Sequence, residues 1–224
     1  MKKWIAFAVL VVGVLGVLFL TQDRTPAVVI DLSQVNKDAI VVPSEQNGQI
    51  GDHIIGETSA KATLIVYGDY QCSACANHNQ KLIDLAKSYE NNMTLAYRHY
   101  PLPNHPNARA AAAAAEAAGK QGKFWEMHNK LFQNYLYWGS DVNQRDEIFQ
   151  SYAKDLELDL DQFKQDVASL EIKQKIDFDV ALGKAHDLSE TPTLVLNGEK
   201  LAIDVWSDEQ KLKDLIQTKI DNNN

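Results

Sequence analysis

Behind Lys2 and Lys3 the chain runs through an uncharged, almost wholly apolar stretch from Trp4 to Leu20, then turns polar and broken as far as residue 50. From Gly51 the pattern is that of a folded domain. A short strand is expected over residues 53–55. Thr63-Leu64-Ile65-Val66-Tyr67 is uncharged, β-branched and aromatic, which predicts a buried central strand. Gly68-Asp69-Tyr70-Gln71 turns the chain. The apolar spacing then becomes helical, with Leu82, Leu85 and Ala86 facing inward and Asn91-Asn92 as the stop. Met93 to Tyr100 alternates well enough for a second strand, stopped by Pro101 and Pro103.

A long helical section follows. Ala110 to Ala115 is an unbroken run of the best helix former, and its small side chains permit close packing. Phe124, Met127, Leu131, Tyr135 and Trp138 recur at three- and four-residue steps. The aromatic stripe of Phe124, Trp125 and Trp138 is read as core packing rather than a ligand cleft. Further helices are marked by Ile148, Tyr152 and Leu156; by Phe163, Val167 and Leu170 behind an Asp159 or Asp161 cap; and by Ile172, Ile176 and Val180. Strand character returns at Thr193 to Leu196, Asn197-Gly198 signals a hairpin, and Leu201 to Val205 reads as the return strand. Ser207 is the expected cap of a last helix that turns Leu212, Leu215 and Ile216 inward.

Only two cysteines occur in the 224 residues, as Cys72-Ser73-Ala74-Cys75 where the central strand runs into a helix. A C-x-x-C pair there can close and reopen a small disulfide. A structural zinc takes four Cys or His ligands; there is no second C-x-x-C, and the six histidines lack the required spacing. A structural staple usually closes a longer loop. The reading is therefore a thiol–disulfide exchange centre with no metal and no cofactor. Cys72 is expected to sit exposed at the helix N-terminus, where free N–H groups and the helix dipole favour its thiolate; Cys75 is expected to be shielded. His78 either assists proton transfer or is a half-exposed helix histidine. Asp69 either caps the active-site helix or occupies the turn.

The apolar Trp4–Leu20 stretch suits an uncleaved signal anchor over residues 1–21, with a cleaved signal peptide as the alternative, and the two lysines keep the N-terminus inside and the rest outside the cytoplasm. Disulfides persist there. Residues 22–50 read as a linker that lifts the domain off the membrane, with room for one extended segment docked on it. The net charge of −8 speaks against a nucleic-acid partner, and a monomer is the default.

The element order is the thioredoxin arrangement: an α/β, thioredoxin-like fold over 51–220 with an all-helical insertion at about 104–187. Gly68-Asp69-Tyr70-Gln71-Cys72-Ser73-Ala74-Cys75, Gln121-Gly122-Lys123-Phe124-Trp125 and Thr191-Pro192-Thr193 together resemble the DsbA-like thiol–disulfide oxidoreductases, in particular their membrane-anchored forms. The resemblance implies a cis Thr191–Pro192 bond packed against Cys72, with the Thr191 backbone free to pair with an extended substrate segment. It also implies that the protein oxidises unfolded secreted protein thiols and is reoxidised by a membrane redox partner. Three departures bear on oxidising strength. Ser73-Ala74 lacks the proline and histidine of the strongest family oxidants. Glu190 stands where the family often has glycine, to raise the Cys72 pKa or bind a basic partner. Val66 stands where many members carry a buried acid. A membrane-tethered reductase and a non-catalytic peptide-binding module of the same fold are the alternatives.

Overall fold

The computed structural model describes residues 29–140 and 142–222. The expected anchor over 1–21 lies outside the described residues. Among the described residues no helix is long and apolar enough to cross a membrane.

Five strands, β1 (His53–Ile55), β2 (Ala62–Gly68), β3 (Met93–His99), β4 (Thr193–Leu196) and β5 (Glu199–Lys200), form one sheet in the order β1-β3-β2-β4-β5. β2 runs parallel to β3, with Leu64 opposite Leu95, and antiparallel to β4, with Tyr67 opposite Thr193. Helix α1 (Ser73–Ser88) connects β2 to β3. All seven residues of β3 are buried, Thr94, Arg98 and His99 included. Arg98, which looks solvent-facing in the sequence, is satisfied inside: it bonds Asp52, Tyr67 and two backbone carbonyls.

Between β3 and β4 lie α2 (Ala108–Gly119), α3 (Phe124–Gln133), α4 (Tyr135–Trp138), α5 (Arg145–Asp155), α6 (Leu160–Val167) and α7 (Leu170–Ala185). The alanine helix α2 is buried along nearly its whole length, against α3, α6 and α7. Side chains of one carbon let helices approach from several sides, as the Ala110–Ala115 run foretold. Phe124 and Trp138 are buried in the core as expected, whereas Trp125 is only half-buried and faces the space beneath Cys75. Asp159 caps α6 by accepting from the N–H groups of Asp161 and Gln162.

Two expectations near the C-terminus are corrected. The return strand is the pair Glu199–Lys200, and Leu201–Val205 does not form it: Ile203–Trp206 is a single helical turn, α8. Buried Leu201 and Trp206 anchor that turn while Ile203 points outward, 55 % exposed. The last helix, α9 (Glu209–Asn222), is capped by Asp208, whose carboxylate accepts from the N–H groups of Gln210 and Lys211 at 3.0 and 3.1 Å; Ser207 closes α8 instead.

Residues 29–50 are a strap rather than a free linker. Ile30, Leu32, Val35, Ile40 and Val41 pack on the sheet face that also carries Ile65, Tyr67, Phe178 and Leu182. Polar ties hold it: the Arg98 guanidinium donates to the carbonyls of Lys37 and Ala39, both at 2.6 Å, and Asp52 accepts from the Val41 N–H at 2.9 Å. The opposite face of the sheet carries α1 and the main core.

Candidate active site

The site forms where three chain segments meet. β2 ends at Gly68, and Asp69-Tyr70-Gln71 turns the chain so that Cys72 becomes the N-cap residue of α1, with an extended backbone. The register that sets Thr193 opposite Tyr67 brings the preceding Thr191–Pro192 peptide to the same end of the sheet. That peptide is cis. The Cys72 thiol donates to the Thr191 carbonyl at 3.2 Å. The expectation that this backbone is open to a substrate is thereby modified for the protonated thiol alone, which occupies the carbonyl; the thiolate has no proton to donate and leaves it free.

Both thiols are free. Cys72 is 9 % exposed and Cys75 5 % exposed. Cys75 is shielded as expected, but Cys72 is far more covered than a helix N-terminus suggests, because the Thr191–Pro192 loop lies against it. The two sulfurs differ in charge preference. A hydrogen bond from Cys75 is the largest influence that brings the Cys72 pKa down to about 5; Thr191 and the N–H groups of Cys75 and Ala74 add to it, against the cost of burial. Burial pushes the Cys75 thiol well up, and the Cys72 charge pushes it further. A thiolate poised beside a protonated thiol is the arrangement that dithiol–disulfide exchange uses.

The loop residues take distinct places. Ser73 is exposed and Ala74 half-buried at the mouth. Asp69 is buried and does not cap the helix. Its carboxylate holds the turn, accepting from the Gln71 N–H at 2.7 Å, the Leu102 N–H at 2.8 Å and His105 Nδ1 at 2.8 Å. His105, unremarked in the sequence, thus ties the active-site turn to the loop after β3. Glu190 is exposed, and only its carbonyl is engaged, accepting from the Thr193 hydroxyl. It is not among the main influences on the Cys72 thiolate, so the expected repulsion finds no support. His78 donates through Nδ1 to the Ala74 carbonyl at 2.9 Å, packs edge-on against Trp206, and lines the same small pocket as Cys75. Val66 lines that pocket with an apolar side chain.

Behind the cysteines the sequence reading missed a buried polar chain. The Tyr70 hydroxyl donates to His128 Nδ1 at 2.9 Å, His128 Nε2 donates to Asn79 Oδ1 at 2.5 Å, and Asn79 Nδ2 donates to Asn129 Oδ1 at 3.1 Å. Burial, with His99 and His53 nearby, holds His128 neutral, its pKa well below the usual histidine value. The only signal for it in the sequence was a histidine on the apolar face of the Phe124–Leu131 helix.

No group of three or more Cys, His, Asp or Glu residues fit to hold a metal exists among the described residues.

Known proteins resemble this chain in three ways. The family model described as thioredoxin matches residues 48–218. Among sequence relatives are the Na(+)/H(+) antiporters NhaA 1 of Mycolicibacterium gilvum, 36 % identical over 154 residues, and of Mycolicibacterium vanbaalenii, 37 % identical over 152 residues. Each alignment takes 66 % of this chain but only 24 and 23 % of the antiporter, so the chain spans about a quarter of the length of these relatives. Among solved structures, oxidised BdbD from Bacillus subtilis superposes with a TM-score of 0.67 at 19 % identity, covering 83 % of this chain and all of the other. Alpha-DsbA1 of Wolbachia pipientis gives 0.64 at 20 % identity, covering 77 % of this chain and 92 % of the other. MdbA, a thiol-disulfide oxidoreductase from Actinomyces oris, gives 0.60 at 20 %, covering 86 and 97 %.

Proposed function

Since the chain belongs to the thioredoxin family and has the fold of the DsbA-like thiol–disulfide oxidoreductases, we propose that it is an extracytoplasmic enzyme that introduces disulfides into secreted or surface proteins through the Cys72–Cys75 pair. The observation that carries this reading is the placement of Cys72 at the N-cap of α1, against the cis Thr191–Pro192 peptide and one turn before the buried Cys75; that setting draws the Cys72 pKa down to about 5. A stabilised Cys72 thiolate favours the reduced enzyme, and the more the reduced form is favoured the more strongly the disulfide form oxidises others.

In the forward reaction a substrate thiolate attacks the Cys72 sulfur of the enzyme disulfide. Cys75 leaves and takes up a proton. A second thiolate of the substrate then attacks the mixed disulfide at the substrate sulfur and releases Cys72 as thiolate. Two substrate thiols become one disulfide and the enzyme ends as the dithiol. Cys75 can reverse the first step and so rescues a trapped complex. The cis Thr191–Pro192 turn supports strand-like pairing of an extended substrate once Cys72 is in a disulfide and the Thr191 carbonyl is released.

The reading includes an N-terminal membrane anchor, a membrane partner that reoxidises the dithiol, a monomeric enzyme, and no cofactor. Ion antiport is no part of it: the shared stretch is only about a quarter of the antiporters' length, and the thioredoxin family model accounts for residues 48–218 of this chain.

Equilibration of the Cys72–Cys75 couple in glutathione buffers tests the direction. A potential near the strongly oxidising end, about −120 mV, is the expected result; a value near about −270 mV sinks the oxidant reading and favours the reductase.

A further inference from the structure

Cys75 must become a thiolate to attack a mixed disulfide, yet it is buried, and burial opposes that charge. The side chains behind it form a pocket of about 20 Å³, lined among others by Val66, Cys75, Asn79, Tyr97, His128 and Pro192. Among the described residues no carboxylate lines this pocket. His128 has both ring nitrogens engaged, with Tyr70 and Asn79. His78 has Nδ1 engaged with the Ala74 carbonyl. Tyr97 differs. It is 4 % exposed, and its hydroxyl has no hydrogen-bond partner among the described residues. Buried polar groups are nearly always partnered, and a space of this volume holds about one water where polar groups face it.

We propose that the Tyr97 hydroxyl, through one water bound in this pocket, supplies the hydrogen bond that stabilises the Cys75 sulfur while it attacks the mixed disulfide. The inference rests on exchange at Cys72–Cys75. In the step, the bond between Cys72 and the partner sulfur breaks and the Cys72–Cys75 bond forms. The partner sulfur leaves with the electron pair, and the Cys75 proton passes to solvent and ends on that leaving thiolate. Tyr97 remains protonated throughout, since burial pushes its phenol well above the usual range, with Tyr70, Cys75, Asp69 and Cys72 adding to the effect. The other titratable groups facing it are His99 on its own strand, His53 opposite it on β1 and His128 on α3; His78 on α1 shares the pocket. Tyr97 is a positioning residue that acts through the water.

The test uses the reduced full-length chain and dithiobis(nitrobenzoate), an aromatic disulfide that releases one coloured thiolate when Cys72 attacks it and a second when Cys75 resolves the adduct. Tyr97→Phe is expected to slow the second release about tenfold or more at neutral pH and to move its pH profile upward, leaving the first release unchanged. Val66→Ile, which fills the pocket and keeps the hydroxyl, is expected to do the same. A folded Tyr97→Phe protein with an unaltered second release overturns the proposal. So does equal slowing of both releases, or a loss produced by His78→Gln and not by Tyr97→Phe. Any neighbouring dithiol reacts with this reagent, so a reducing potential for the couple would sink the oxidant reading while leaving this test intact.

Discussion

One helical turn separates Cys72 from Cys75, and that turn gives one type of side chain two chemistries. Cys72 meets N–H groups, the Cys75 thiol and Thr191; Cys75 meets mostly apolar walls. Alkylation of the reduced protein should therefore follow a titration with a midpoint near pH 5 at Cys72 and leave Cys75 unmodified up to pH 9. The stability of the reduced protein follows the same sign. The folded Cys72 pKa lies below the ordinary thiol value of 9, so the stabilisation is full above pH 9 and is lost as pH falls through 5. Thr191→Val removes a hydroxyl that favours the thiolate. That hydroxyl is unpartnered beside the protonated thiol and is free to donate once the thiolate forms. At about 1.5 kcal/mol, the low end for one hydrogen bond to a charged group, its loss raises the Cys72 pKa by about one unit and should slow alkylation at pH 5 about sixfold. The C-x-x-C spacing and Thr191-Pro192 disclosed this much of the site in the sequence. Tyr97, His128 and Asn79 were hidden, because each sits in a pattern that core packing also explains and only the fold brings them beneath Cys75.

At the scale of elements, the sequence was most legible where one face of a helix or strand is apolar over many residues, as in β2, α1 and α3. It misled where a few residues suit two structures. Leu201-Ala202-Ile203-Asp204-Val205 alternates like a strand, yet two buried anchors, Leu201 and Trp206, make a helical turn the better way to bury both. The cap of α9 was misplaced by one residue for a similar reason, since Ser207 and Asp208 are both good caps in sequence. The bonds to Gln210 and Lys211 decide for Asp208. Asp208→Ala should cost ~1 kcal/mol in urea denaturation, and Ser207→Ala only a few tenths.

In the whole molecule, the strap of residues 29–50 was the least legible part. Its apolar residues are short runs among polar ones, and what holds it is a charge cluster assembled from distant segments. Arg98, Asp52, Lys175 and Asp179 have side chains that are fully buried, with Arg98 to Asp52 at 2.8 Å and Lys175 to Asp179 at 2.8 Å. Asp52→Ala leaves the buried Arg98 without a carboxylate, takes from Lys175 the second of its two, and unties Val41, so urea denaturation should show a loss of about 3–5 kcal/mol; a loss under about 1 kcal/mol would mean that water reaches the cluster. The sheet built on this cluster ends in β1, three residues long, and β5, two residues long. Exposed strand edges are where proteins template one another into aggregates. If the protein works among unfolded chains as proposed, it has almost no such edge to offer them among the described residues. On that proposal its clients would be met at the Thr191–Pro192 loop, beside the sulfur that releases them.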